Sequence, residues 1–181
     1  MFIAQQKRKD NIAEYILYLW QLEDLLRALE FSPDKIYATL VASQTSLSVE
    51  QREVAFAWYM DIVQLLASEG KRDKGHLEHT EHLMGALNDL HEHLLQAPIG
   101  KRYRQTFSRL APELRNLGEG SDIELCFRAL YSVVLCRLKG VQNKKHVEDV
   151  LELISPVVAL LADYYHKIER GEIDPYQEEI P

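Results

Sequence analysis

Residues 83–94 read Leu83-Met84-Gly85-Ala86-Leu87-Asn88-Asp89-Leu90-His91-Glu92-His93-Leu94. The leucines at 83, 87, 90 and 94 follow an i, i+4, i+7, i+11 spacing, which stacks four apolar side chains on one face of a helix of about 3.6 residues per turn. This helix is expected to begin near Gly75 and to run to about Gln96, where Ala97-Pro98 stops it. Apolar residues recur at the same three- and four-residue spacings along almost the whole chain. Period-two alternation of β-branched residues is hard to find, so the fold class is all-α.

Upstream, a first helix over roughly 6–29 carries Ile12, Ile16, Leu19, Leu22, Leu26 and Leu29 as its inner stripe. Ser32 and Pro33 suit the cap and first-turn positions of a short second helix through about Val41. Ser48 followed by Gln51 is a capping-box signature for a third helix of about twenty residues that closes near Gly70. Downstream, residues 101–117 read as a weaker helix, broken by Pro112 and closed by Gly118-Glu119-Gly120. Ser121-Asp122 caps a helix over about 122–139. The last helix runs over about 146–170, with a kink expected at Pro156 and Gly171 as terminator. No internal repeat and no low-complexity linker divides the chain. The expectation is a single-domain helical bundle of about six or seven helices over 1–170, followed by an acidic C-terminal tail, 171–181.

The 181 residues are 46% hydrophobic and 27% charged, which is enough apolar material for one domain with a core. Two cysteines form no disulfide framework, and neither stands in a Cys-x-x-Cys or Cys/His pattern with zinc spacing. Cys126 and Cys136 lie in apolar surroundings and read as inert core thiols. The N-terminus turns at once to Gln5-Gln6-Lys7-Arg8-Lys9-Asp10 and leaves no room for an apolar signal core, so a cytoplasmic location is expected. No uncharged apolar run approaches the ~18 residues of a membrane span. The net charge of -7, from 28 acidic against 21 basic residues, argues against a broad nucleic-acid surface.

On a helical wheel the third helix gathers Glu53, Asp61, Gln64 and Ser68 in one narrow sector, while Val54, Phe56, Trp58, Ile62, Leu65 and other apolar residues fill much of the rest. The helices over 122–139 and 146–170 are similarly apolar around their circumference. Two readings stay open: a homodimer face, or three helices crossing in one core.

Five of the seven histidines, His76, His79, His82, His91 and His93, fall on the fourth helix. His79, His82, Asp89 and His93 share a sector of about 80°, and imidazole with carboxylate is a donor set that suits a transition metal. The His79/His82 and Asp89/His93 pairs stand ~10 Å apart along the axis, so one ion cannot use both. No Glu-x-x-His pair elsewhere completes a di-iron pattern. The competing reading is a solvated flank in which Glu78 and His82 form an ordinary i, i+4 pair. A second candidate is the basic segment 101–109, where Lys101, Arg102, Arg104 and Arg109 interleave with aromatics. It could bind an anion or nucleic acid, or dock acidic groups of the same chain such as the tail. A third is the set of charges lodged among apolar neighbours, Glu14, Asp61, Arg128 and Arg137, expected in ion pairs or in a pocket wall, with Glu124 and Arg128 as an i, i+4 pair. No phosphate-binding loop, dinucleotide fingerprint or nucleophile elbow is present.

The opening stretch, Met1-Phe2-Ile3-Ala4-Gln5-Gln6-Lys7-Arg8-Lys9, then Asn11-Ile12-Ala13-Glu14-Tyr15-Ile16-Leu17-Tyr18 and Trp20-Gln21-Leu22-Glu23-Asp24-Leu25, resembles an uncharacterised all-helical family from Bacteroidetes. That family is a domain of unknown function of about 180 residues, and the match is carried by the first ~30. The resemblance implies a helical, cytoplasmic bacterial protein and supplies no activity or cofactor. The residues themselves point to a non-catalytic binding or scaffolding protein that self-associates. Metal binding or metal-dependent catalysis through the fourth-helix histidines, and anion or nucleic-acid binding through 101–109, are the alternatives.

Overall fold

The computed structural model describes residues 1–140 and 145–175, so residues 176–181 of the expected tail lie outside the described residues. Among the described residues all regular structure is helical. Among them are eight α-helices rather than six or seven: α1 (Phe2–Asp10), α2 (Ile12–Ala28), α3 (Pro33–Ile36), α4 (Val49–Ser68), α5 (Glu78–Gln96), α6 (Lys101–Leu114), α7 (Asp122–Leu138) and α8 (Lys145–Glu169). A π-helical turn, Tyr37–Val41, prolongs α3, and a 3-10 turn, Pro98–Gly100, leads into α6. No helix among the described residues is long and apolar enough to cross a membrane.

The extra helix arises at Asn11, where the stretch expected as one helix over 6–29 divides into α1 and α2. Asn11 Oδ1 accepts the Ala13 amide at 2.9 Å, and His166 Nε2 accepts the Ile12 amide at 3.0 Å. These two acceptors satisfy amides that a new helix start leaves open. Neither Gly nor Pro marks the break, although asparagine is a favoured cap residue. Three other starts follow local chemistry as expected. Ser48 and Gln51 close a full capping box, and Ser32 and Ser121 accept the amides of Lys35 and Glu124.

Pro112 does not break the sixth of these helices. It lies inside α6, which continues to Leu114, because a proline in the last turn removes only one late hydrogen bond. His76 precedes α5 instead of lying on it. Gly171, with φ +68, ends α8 in the left-handed conformation, and the amides of Gly171 and Glu172 close back on the carbonyls of Ile168 and Lys167, both at 2.9 Å.

The chain clusters into two compact units: Met1–Asp10 with Glu14–His82, and Asn11–Ala13 with the chain from Leu83 onward. In the first, Leu19, Leu22 and Leu26 of α2 pack with Ile36, Val41 and the α4 residues Tyr59, Ile62 and Leu66. In the second, α6 packs on α8 and α7, burying Tyr103, Leu110, Leu114, Phe127, Ile154 and Leu161. Each fully buried leucine or isoleucine contributes roughly 1.5–3 kcal/mol. The first turn of α5 belongs to the first unit and the remainder of that helix to the second.

Candidate functional site

The four candidate metal ligands are divided between the units. In the first, His79 Nε2 lies 3.1 Å from the Tyr15 hydroxyl with the two rings edge to face, and His82 is exposed. Burial lowers the His79 pKa, and the nearby Arg8 and His82 charges push it the same way. In the second, Asp89 is exposed and His93 is half-buried, donating from Nε2 to the Pro175 carbonyl. Among the described residues no three His, Cys, Asp or Glu side chains come together in a group that could hold a metal ion.

The basic segment is likewise not one surface. Arg104 is half-buried and donates from Nη1 to the carbonyls of Leu94, at 3.0 Å, and Ala97. It therefore caps the C-terminal end of α5, where a cation suits the helix dipole. Lys101, Arg102 and Arg109 are exposed. Glu14, Asp61, Arg128 and Arg137, expected among apolar neighbours, are also all exposed, because each falls on the outer edge of its helix. Glu14 pairs with Lys7 at 2.7 Å, and Arg128 approaches Glu124 to 3.7 Å, the i, i+4 contact its spacing implies.

The buried charge lies elsewhere, at Glu23, which has no exposed surface. Its Oε2 is 2.7 Å from His76 Nδ1 and its Oε1 accepts the Leu77 amide at 3.2 Å, while the His76 ring stacks on Trp20 with centroids 4.1 Å apart. Glu69 accepts the Glu78 amide at 2.8 Å. Two carboxylates distant in sequence thus sit at the N-terminus of α5, where negative charge is favoured. Beside them the Arg27 guanidinium gathers the carbonyls of Lys71, Arg72 and Gly75 and fixes the turn before α5.

In the second unit His91 is buried, with its Nδ1 2.7 Å from the Tyr103 hydroxyl and its Nε2 3.4 Å from Asp122 Oδ2. The carboxylate opposite Nε2 favours the proton on that nitrogen, which leaves Nδ1 to accept from Tyr103. Burial lowers the His91 pKa against the opposing pull of Asp122 and Glu92, and burial raises that of the fully enclosed Tyr103 phenol. Burial first, then Asp122, pushes the Cys126 thiol up to about 12, so it stays a neutral core thiol. Glu23 and His91 share a sequence signal. Each stands four residues after one apolar stripe residue and three before the next, Leu19 and Leu26 for Glu23, Leu87 and Leu94 for His91, and so falls on the inner face.

A cleft of about 300 Å³ opens in the second unit between α5 and α8. Asp89, Leu90 and His93 line it from α5 and Tyr165, Ile168 and Glu169 from α8, together with Pro175. The Asp89/His93 pair marked in the sequence therefore faces a cavity, and Glu169 faces it from α8.

No curated protein and no solved structure matches the chain. Residues 1–172 match the family described as a domain of unknown function, DUF4924, and this span covers every element described above. The helical chain with its capped α5 and its α5–α8 cleft belongs to the DUF4924 family, whose function is unknown.

Proposed function

We propose that this protein is a non-catalytic binding or scaffolding protein of helical-bundle type that works in the cytoplasm as a homodimer, with the two compact units as parts of one domain. The observation that carries this reading is the outer face of α4, where Val54 and Leu65 remain 49% and 47% exposed. They stand eleven positions apart, which returns the helix to within about 20° of the same direction, so they form one strip about three turns long, with the exposed Asp61 along its edge. Packing a second copy antiparallel about a two-fold axis at the middle of the strip sets Val54 of one protomer against Leu65 of the other, a self-complementary arrangement. The acidic balance of the chain disfavours nucleic acid as a partner, and the reading includes no membrane contact.

Sedimentation velocity at micromolar concentration tests this. The wild-type chain is expected to sediment at twice its mass of 21.0 kDa. A Val54→Glu, Leu65→Glu double variant keeps its helical circular dichroism and sediments as the monomer. A wild-type protein that stays monomeric across this range ends the proposal.

A further inference from the structure

The break between α1 and α2 depends on a residue of α8. Residues 2–28 contain no Gly and no Pro, so local chemistry alone favours a single helix ~40 Å long. The chain nevertheless bends. Met1 and the α1 residues Ala4 and Arg8 line one cavity of about 480 Å³ with Tyr15 of α2 and Trp58 of α4. A straight helix would instead carry Met1 ~21 Å along its axis from Tyr15. Away from the break α1 packs lightly: Ala4 is its one buried residue, and the Lys7–Glu14 pair is a surface contact of little worth. At the break, Asn11 Oδ1 takes the Ala13 amide, and His166, only 7% exposed, lends Nε2 to the Ile12 amide at 3.0 Å.

The acceptor at Nε2 exists only on a neutral ring. With Nε2 bonded to Ile12, the single ring proton sits on Nδ1, 3.1 Å from Glu169 Oε2. A second proton goes to Nε2, where it meets the Ile12 N–H donor against donor, and the cap is lost. The charged ring is not stranded, because Nδ1 keeps its carboxylate, on which Arg170 also acts electrostatically. The groups that meet the ring are Glu169 and the Tyr165 ring from α8 and the Ile12 amide from the α1–α2 junction; among the described residues no charged side chain of another helix touches it. We propose that His166 is a pH-operated latch: as a neutral imidazole it holds α1 and α2 apart, and its protonation releases Ile12 and lets residues 2–28 join into one helix. Joining gives the amides of residues 11–14 the carbonyls of residues 7–10 as ordinary i−4 partners, so the released donors are not left open. α1 then leaves Tyr15 and Trp58, whose side of the cavity it covers.

Pulsed dipolar spectroscopy on the full chain tests the latch, with nitroxide labels at the exposed positions Ile3→Cys and Leu25→Cys, Cys136→Ser, and the buried Cys126 left in place. The distance is read from about pH 8 to about pH 5, the span over which histidine side chains change charge. It is expected to lengthen to that of a continuous helix, ~33 Å between the two Cα atoms, with helical circular dichroism kept or raised. The change runs in step with protonation of the His166 ring, followed by its nitrogen NMR shifts. His166→Gln, whose side-chain oxygen accepts the Ile12 amide at any pH, keeps the short distance throughout. His166→Phe, which offers no acceptor, shows the long one already at the alkaline end. A distance that stays fixed while the ring protonates, a ring that stays neutral to the acid end, an equal lengthening in His166→Gln, or loss of helix in place of lengthening overturns the proposal.

Discussion

Replacing Gly100 and Gly85 by alanine, one at a time, sets two identical chemical changes against opposite surroundings. A methyl group at Gly100 falls 1.8 Å from the Leu94 carbonyl oxygen, 2.6 Å from its carbon and 2.9 Å from Leu94 Cα. All three are backbone atoms of the last turn of α5, and Arg104 binds that same oxygen, so nothing there can swing aside as a side chain would. The turn must shift bodily, a case of overpacking that costs about 1–3 kcal/mol. At Gly85, in the middle of α5, an added methyl meets nothing within 4 Å, and the change removes backbone entropy from the unfolded chain, a gain of about 0.5–1 kcal/mol. In a chain of this size each kcal/mol moves Tm by about 2–4 °C, so Gly85→Ala raises Tm by about 1–4 °C and Gly100→Ala lowers it by about 2–12 °C. Differential scanning calorimetry on the three proteins reads both shifts. A Gly100→Ala protein that melts with or above the wild type refutes the close approach of the 3-10 turn to α5.

Tyr103→Phe leaves the buried His91 Nδ1 without its donor and is expected to cost about 1–3 kcal/mol in urea unfolding; a loss within error of zero removes the hydrogen bond from the account. Burial holds the folded His91 pKa below that of the unfolded chain, near 6.5, so the unfolded state takes up the proton first as the solution is acidified. Stability is therefore full above about pH 6.5 and declines as pH falls toward the lowered folded value; His91→Gln flattens that part of the profile, and an equally steep profile in the variant contradicts the assignment. Arg104→Ala uncaps the carbonyls of Leu94 and Ala97 and costs about 1–2 kcal/mol, whereas joint replacement of Lys101, Arg102 and Arg109 by alanine leaves Tm within about 2 °C. Thermal melts that rank these two variants the other way contradict the division of the basic segment.

Where the sequence was a reliable guide, the deciding interaction is local. The leucine stripe of α5 and the caps at Ser32, Ser48 and Ser121 each lie within one helix, or within three residues of a start, and each appears in the structure as its spacing implies. Interactions between distant segments left weaker traces. The division at Asn11 needs His166, which is 154 residues away, and the burial of Glu23 depends on the turn that brings His76 and Leu77 beside it. The polar sector assigned to α4, Glu53, Asp61, Gln64 and Ser68, is exposed throughout, yet the wheel could not show that Val54 and Leu65 lie beside it in solvent. For the α5 residues, spacing gave a shared face, but what stands opposite that face is set by α2 for His79 and by α8 for Asp89 and His93. The basic run 101–109 reads as one patch because linear sequence hides direction: on α6, Arg104 turns inward to α5 carbonyls and its neighbours do not.

The capping of α5 from outside bears on the order in which the chain folds. Its first amides are taken up by Glu23 and Glu69, and its last carbonyls by Arg104, none of which lies within the helix itself. A segment of 19 residues is only a turn or so longer than the roughly 12–15 below which an isolated helix in water is marginal, so α5 depends on packing and on its caps. This one gains its ends only after α2, the end of α4 and the start of α6 have docked. On a ribosome, α2 and α4 emerge before it and carry the acceptors for the amides at its start. Hydrogen exchange at the Leu77 and Glu78 amides accordingly reports the release of those two carboxylates, because neither amide can open to solvent while its acceptor stays in place.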